Sequence, residues 1–299
     1  MSGITQWLRQ SRWARIVIIV VTFLLPVTNL ISAAILVMTT RGAGWRSAAV
    51  DSVASLVILG GLVLWTSGEA AATTPGPAIL GAGALWGESI LAGAILQRYR
   101  SIDLTVQVLV VMALFGIVLA SLLIPDSRAY WQPVLEALIR NAGLPQVGGL
   151  PDNWLATVAG LMHGVIGASL LSTLILAVML GLWLDRETEE VDWRRQFLEL
   201  RLGRVLSVGV VVSAALLFAG FPSLGGGALL VLGTAFIGQG LAIVHWTADH
   251  RSWPRIWRLA LYGPLLLGAP LAGLLLLALA LVGLADNAVG LRRQRSNVV

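Results

Sequence analysis

Three polar side chains stand inside long apolar runs, where lipid is the expected surrounding: Glu88, His163 and Gln239. Glu88 carries the sharpest chemistry. It lies about ten residues into the run 78–96, near mid-depth at about 1.5 Å per residue. A carboxylate there costs at least about 2.5 kcal/mol on insertion scales, so such a residue marks a function or a specific contact. Ala84 and Ala92, at i±4, and Gly81 give it a small-residue face that another helix can approach. Glu88 is therefore expected to point into a bundle. Two roles stand open: a site for a ligand, proton or cation, or a protonated glutamate bridging two helices. His163 shares its face with Gly160 and Gly167. A hydrogen bond to a neighbouring helix is its plainer role, a ligand contact its sharper one. Gln239, flanked by Ala235 and Ala242, reads first as interhelical glue and second as a binding group. These three are the candidate ligand-binding residues; His163, Glu88 and Gln239 stand at descending depths, as a polar path or as three separate contacts. Asp51, near a helix end, is expected to cap that helix or to pair with Arg46 or Arg41.

A second set lies in the most charged stretch, 185–204. Glu190 with Arg194 and Arg195 with Glu199 are i,i+4 pairs, which supports a helix. Phe197, Leu200 and Leu202 give that helix one apolar side, and Phe197, Leu200 and Arg201 are the candidate partner-docking residues. The acidic Glu187, Glu189, Glu190 and Asp192 argue against anionic lipid as the sole target. The expected contact is protein, supplied by this chain's own loops or by another subunit.

Several chemistries have no residues to run on. There is no HExxH pair, no GxSxG elbow and no Walker A loop. Cysteine is absent and histidine occurs three times, so a metal site or a thiol-linked cofactor is not expected. No cofactor is assigned, and the chain is not read as an enzyme.

The elements that position these residues follow from composition. Hydrophobic residues make up 57% of the 299 and charged ones only 12%, against about 25% charged in a soluble domain. A soluble fold of this size has too much surface to cover with so few polar groups. Eight apolar segments run 16–39, 47–66, 78–96, 104–124, 155–184, 205–221, 226–246 and 259–285. Most reach the roughly 20 residues a spanning helix needs, and none shows the short alternation of a membrane barrel. The expected fold is all-α: a polytopic transmembrane helix bundle forming a single integral membrane domain over residues 1–299. Trp13, Trp45, Trp65, Trp183, Trp246 and Trp257 near segment ends fit an interfacial aromatic belt. The first apolar run continues past Ser32-Ala33-Ala34 to Met38, so it reads as an uncleaved segment rather than a signal peptide.

All 20 basic residues are Arg, which reads as the codon bias of a GC-rich bacterial genome. They lie in short runs between apolar segments rather than on one soluble face, which argues against nucleic acid as a partner. Basic and non-basic loops alternate from residue 41 to 258, so 185–204 and 247–258 are expected to be cytoplasmic and 125–154 outside. Within the first, a short helix is expected near 187–204. In the outer loop, Tyr130, Trp131, Leu135 and Leu138 precede a turn-rich stretch with Gly143, Pro145, Gly148, Gly149 and Pro151. Both tails are basic. If both are cytoplasmic, the first and last segments must each return to the side they left. Pro26 in the first, and Pro264 and Pro270 with Gly263 and Gly268 in the last, would break each into a pair of half-length helices shielded from lipid. The other reading is that a tail breaks the charge rule.

Three strings, FLELRLGR (197–204), QGLAIVH (239–245) and LADNAVGLRRQR (284–295), resemble the YybS-like family of bacterial membrane proteins in content and order. That resemblance covers nearly the whole chain. It implies a kinship in fold with the S-components of energy-coupling-factor vitamin transporters and, through it, a solute-binding membrane subunit in the bacterial inner membrane. Two functions therefore stand as expectations. One is a small-solute binding or transport protein contacting its ligand through Glu88, His163 and Gln239, with energy from a partner or an ion gradient. The other is a scaffold or assembly factor acting through the cytoplasmic helix.

Overall fold

The computed structural model describes residues 2–25, 28–67, 75–143, 153–185, 192–290 and 292. Among these the secondary structure is helical throughout. In chain order the helices are α1 (Ser2–Gln10), α2 (Arg12–Leu24), α3 (Asn29–Ala43), α4 (Trp45–Ser67), α5 (Pro75–Tyr99), α6 (Ile102–Leu123), α7 (Ser127–Asn141), α8 (Trp154–Gly160), α9 (Met162–Asp185), α10 (Trp193–Leu198), α11 (Gly203–Phe218), α12 (Pro222–His250), α13 (Trp257–Leu266) and α14 (Ala269–Val289). Pro26, Pro145, Gly148, Gly149 and Pro151, the acidic run 187–190, and Arg293 and Arg295 lie outside the described residues.

Among the described residues, six helices are long and apolar enough to cross a bilayer: Trp45–Thr66, Ala78–Tyr99, Ile102–Leu123, Met162–Asp185, Pro222–His250 and Ala269–Val289. Buried residues make up only 28% of the first and 17% of the last. Rows such as Val53, Val57 and Leu64 on α4, or Leu274, Leu277 and Leu281 on α14, are open on the surface. At about 25 cal/mol per Å2 such faces oppose solubility in water and suit hydrocarbon. The protein is an all-α, multi-pass membrane bundle.

The other apolar segments resolve into shorter pieces. The first, 16–39, becomes α2 and α3. Leu25 leaves α2 in extended conformation, and Thr28 closes the turn by donating its hydroxyl to the Thr22 carbonyl, 2.7 Å away. Ala14 near the start of α2 and Met38 near the end of α3 pack together with Leu8, so the two helices form a hairpin. At 15 residues α3 is about 22 Å long, short of the roughly 30 Å hydrocarbon core. It is buried at every position from Ser32 to Arg41, with α2, α4 and α5 packed around it. The first segment is thus broken as expected, but only α3 is shielded: Val17, Val21 and Leu24 of α2 are open on the surface. The last segment breaks too, at Leu267 and Gly268, where Gly268 takes φ +122°. Its halves are unequal: α13 has 10 residues, while α14 runs on to Val289 and is long enough to span. Segment 155–184 breaks at Leu161, between α8 and α9. Segment 205–221 becomes α11, which at 16 residues falls below spanning length.

Contacts divide the chain into two compact units. One comprises Met1–Leu109 with Ser172–Gln196, the other Val110–Leu171 with Phe197–Val299. In the first, α3 packs most extensively on α5. Gly93 sits against Thr40, and Gly181 against the Ala34 carbonyl and Val37. In the second, α12 packs on α14 and α11. A Cβ at Gly240 would stand 2.0 Å from the Leu279 carbonyl oxygen, and one at Gly283 2.2 Å from that of Phe236. Small residues thus let α12 and α14 touch backbone to backbone.

Candidate functional site

In the first unit the charged residues at the helix ends gather into one cluster. Asp51, fully buried near the start of α4, accepts from Arg12 Nε at 2.9 Å and from Arg15 Nε at 2.7 Å, one guanidinium on each oxygen. This replaces the expected pairing with Arg41 or Arg46. Arg15 also donates to the carbonyls of Leu8 (3.0 Å) and Arg9 (3.1 Å), which fixes the end of α1 over the α2–α3 hairpin. Asp185, at the end of α9, takes Arg9 on one oxygen and Arg41 on the other, the latter at 3.0 Å. Arg41 lies 4.8 Å over the ring of Trp193, and its carbonyl accepts from Gln97. Burial pushes the Arg41 guanidinium down from its ordinary value; Asp185 opposes this, while Arg9 and Arg100 add to it.

These residues enclose a cavity of about 380 Å3, lined by Arg9, Arg15, Met38, Thr39, Arg41, Gly42, Ala43 and Asp185. Three arginines and one aspartate are among the residues that line it. Guanidinium offers planar forked donors that match carboxylate and phosphate oxygens in pairs. The volume falls in the range of small-molecule sites. Chemically the cavity suits an anion of metabolite size.

In the second unit a buried polar clasp joins the three sequence strings noted above. Asp286, on α14, accepts from Arg292 Nη2 at 2.7 Å and from Gln239 Nε2 at 3.2 Å. Arg292 also donates to the carbonyls of Leu198 and Leu200. The Gln239 side-chain oxygen accepts from the Leu202 amide at 3.1 Å. Asn287 exchanges hydrogen bonds with the Gly203 backbone and donates to Ser207 at 2.7 Å. Residues 199–202 link α10 to α11 without a helix ladder, and these side chains satisfy backbone groups of the link and of the helix ends beside it.

Each residue singled out in the sequence has a definite place. Both ends of the Gln239 amide are engaged within the clasp, so it acts as glue between α12, α14 and segment 198–203. Glu88 is half-buried on α5 in the first unit, with Oε2 buried and lacking a partner. The small-residue face expected to receive a helix does so only in part. Ala92 is fully buried, whereas Ala84 is exposed and a Cβ placed on Gly81 would meet nothing within 4 Å. His163 is 5% exposed in the second unit, and neither ring nitrogen has a partner. Of the glycines expected on its face, Gly167 meets Val231 and Ile117 while Gly160 meets nothing within 4 Å; the adjoining Gly164 is set against Gly227 of α12. From Gly227 to Gln239 is 12 residues, about 18 Å along the helix, so His163 and Gln239 do not share a site.

The docking residues turn inward. Leu200 is 2% exposed and Leu202 is 1% exposed. Phe197 packs edge-on to His245 with ring centroids 6.2 Å apart. His245 in turn bonds the Leu241 carbonyl and the Tyr262 hydroxyl. Arg201 is half-buried in the same segment. The contact expected of this apolar side is thus made with the chain's own helices. The arginine-lined cavity was not foreseen, because its arginines read as topology signals; the acids Asp51 and Asp185 at segment ends were the signal for it.

Comparison of the chain with protein-family models, curated proteins and solved structures finds no match.

Proposed function

We propose that this multi-pass membrane protein binds a small anionic solute at the end of the bundle where its arginines gather. The observation that carries the reading is the cavity lined by Arg9, Arg15 and Arg41 with Asp185. Forked donors held in position by Asp51, Asp185 and the Leu8 and Arg9 carbonyls form a preorganised receptor for phosphate or carboxylate. The positive-inside rule supports a cytoplasmic position for this end, in a bacterial inner membrane. The resemblance of three strings to the YybS-like family, which implies a likeness to vitamin-transporter S-components, would accord with a solute-binding subunit. Energy for any transport would come from a partner or an ion gradient, since the chain carries no Walker A loop.

The test is mass spectrometry of the purified protein, released from mild detergent with its bound small molecules. An anionic metabolite, retained by the native chain and lost from Arg41→Gln, is the expected result. Arg41→Gln keeps a hydrogen-bonding side chain at the helix end, and its thermal unfolding serves as the check on folding. A native chain carrying no anion, or one carried equally by Arg41→Gln, would overturn the reading.

A further inference from the structure

Four buried hydroxyls in this protein are satisfied in a regular way. Thr40, Ser55, Ser89 and Ser213 each return a hydrogen bond to the carbonyl four residues earlier. The other two histidines are also engaged: half-buried His245 uses both ring nitrogens, and exposed His250 bonds the Trp246 carbonyl. Three side chains of the second unit depart from this pattern. Ser121 Oγ, Trp131 Nε1 and both nitrogens of His163 are buried without a partner. A buried polar atom left unpaired costs about 1–3 kcal/mol, so four together require an explanation.

Trp131 and His163 are neighbours, and the helix that carries Ser121 packs beside α9. Ser127 donates its hydroxyl to the Ala159 carbonyl at 2.8 Å, pinning the start of α7 to the end of α8. Four residues further along each side of this contact are Trp131 and His163, whose rings meet edge to face with centroids 6.5 Å apart. On the other side, Gly167 of α9 is in contact with Ile117 of α6. One turn back along α9 is His163 and one turn on along α6 is Ser121, on the same faces. The indole can only donate, the neutral imidazole donates once and accepts once, and the hydroxyl does either. Two N–H groups and a hydroxyl left without partners on adjoining helices match an sp2 oxygen.

We infer that Ser121, Trp131 and His163 form a binding site for a carbonyl or carboxylate oxygen, entered between α6, α7 and α9. The oxygen comes from one of two sources, the ester carbonyl of a lipid or the carboxylate of a small solute. The site is independent of the arginine-lined cavity, shares no residue with it, and is read out separately.

The protein holds three histidines, so 15N-histidine labelling resolves the site, with His163→Gln identifying its resonances. The labelled chain is placed in nanodiscs of diester phosphatidylglycerol and, separately, of its diether analogue. A His163 nitrogen resonance that differs between the two, with His245 unchanged, is the result expected for a lipid carbonyl. A resonance equal in both discs but moving on addition of octanoate is the result expected for a solute carboxylate. Trp131→Phe keeps an aromatic ring and deletes the N–H, and should weaken either response about fivefold. A His163 resonance that responds to neither lipid nor octanoate means water alone and overturns the site, as does an undiminished response in Trp131→Phe.

Discussion

Asp286 shows what a single buried carboxylate does in this protein. It is 3% exposed and holds Arg292 and Gln239 at once, and through them the backbone of Leu198, Leu200 and Leu202. Removing one partner of a buried ion pair leaves the other charge uncompensated and costs about 3–5 kcal/mol. Asp286→Ala is therefore expected to lower unfolding stability by about 3 kcal/mol or more, measured by chemical denaturation in detergent. Asp286→Asn, which keeps an acceptor oxygen for Gln239, should lose less. Equal losses in the two variants would mean that the retained acceptor contributes nothing. Asp51 is the counterpart in the first unit, with both oxygens taken by arginines of α2. Neither Asp51 nor Asp185 finds its arginines nearby in sequence, which is why segment-end acids and arginines read from the chain alone only as orientation signals.

Among the helices, α12 is the one whose sequence most constrains its neighbours. Its glycines at 225, 227 and 240 each face backbone: Gly225 meets Ser213 and Leu217, Gly227 meets Gly164, and Gly240 meets Leu279. Gly240→Ala would place a methyl 2.0 Å from the Leu279 carbonyl oxygen and force α12 and α14 apart. Overpacking of this kind typically costs about 1–3 kcal/mol. Gly81→Ala is the matched control: nothing lies within 4 Å, and alanine favours a helix over glycine by up to about 1 kcal/mol. Thermal unfolding in detergent should rank Gly240→Ala well below the native chain and Gly81→Ala at or above it. The reverse order would mean that α12 and α14 do not meet backbone to backbone.

At the scale of the molecule, the α2–α3 hairpin settles the count of crossings at the amino-terminal end. The hairpin returns the chain to the side it left, bringing Arg12 and Arg15 to the same end as Arg41. Orientation is then a single question, answerable on α4, whose two ends carry Ser47 and Thr66. The chain has no cysteine, so one introduced thiol reports alone. In intact cells an impermeant maleimide is expected to label Thr66→Cys and to reach Ser47→Cys only after permeabilisation. Labelling in the opposite order would invert the assignment and place the arginine-lined cavity outside.

Hydropathy by itself determined that this chain is a helical membrane protein, because every backbone group in lipid must be satisfied within its own segment. The sequence also located the breaks at both ends, since proline and glycine act on the backbone where they stand. It did not determine which fragments span. The last segment reaches full length only because α14 continues through residues 285–289, where Gln239 binds Asp286 and the Gly203 backbone binds Asn287. Glu88, His163 and Gln239 stood out one by one as polar groups in apolar runs, and depth along a helix is legible from position alone. Which helices adjoin is not. Tertiary structure alone decided that Gln239 is consumed by the clasp, that His163 lies instead beside Trp131, and that four arginines from three helices gather around Asp51 and Asp185. The physical reason is that these contacts join residues up to 176 positions apart, and nothing in local periodicity encodes a pairing at that separation.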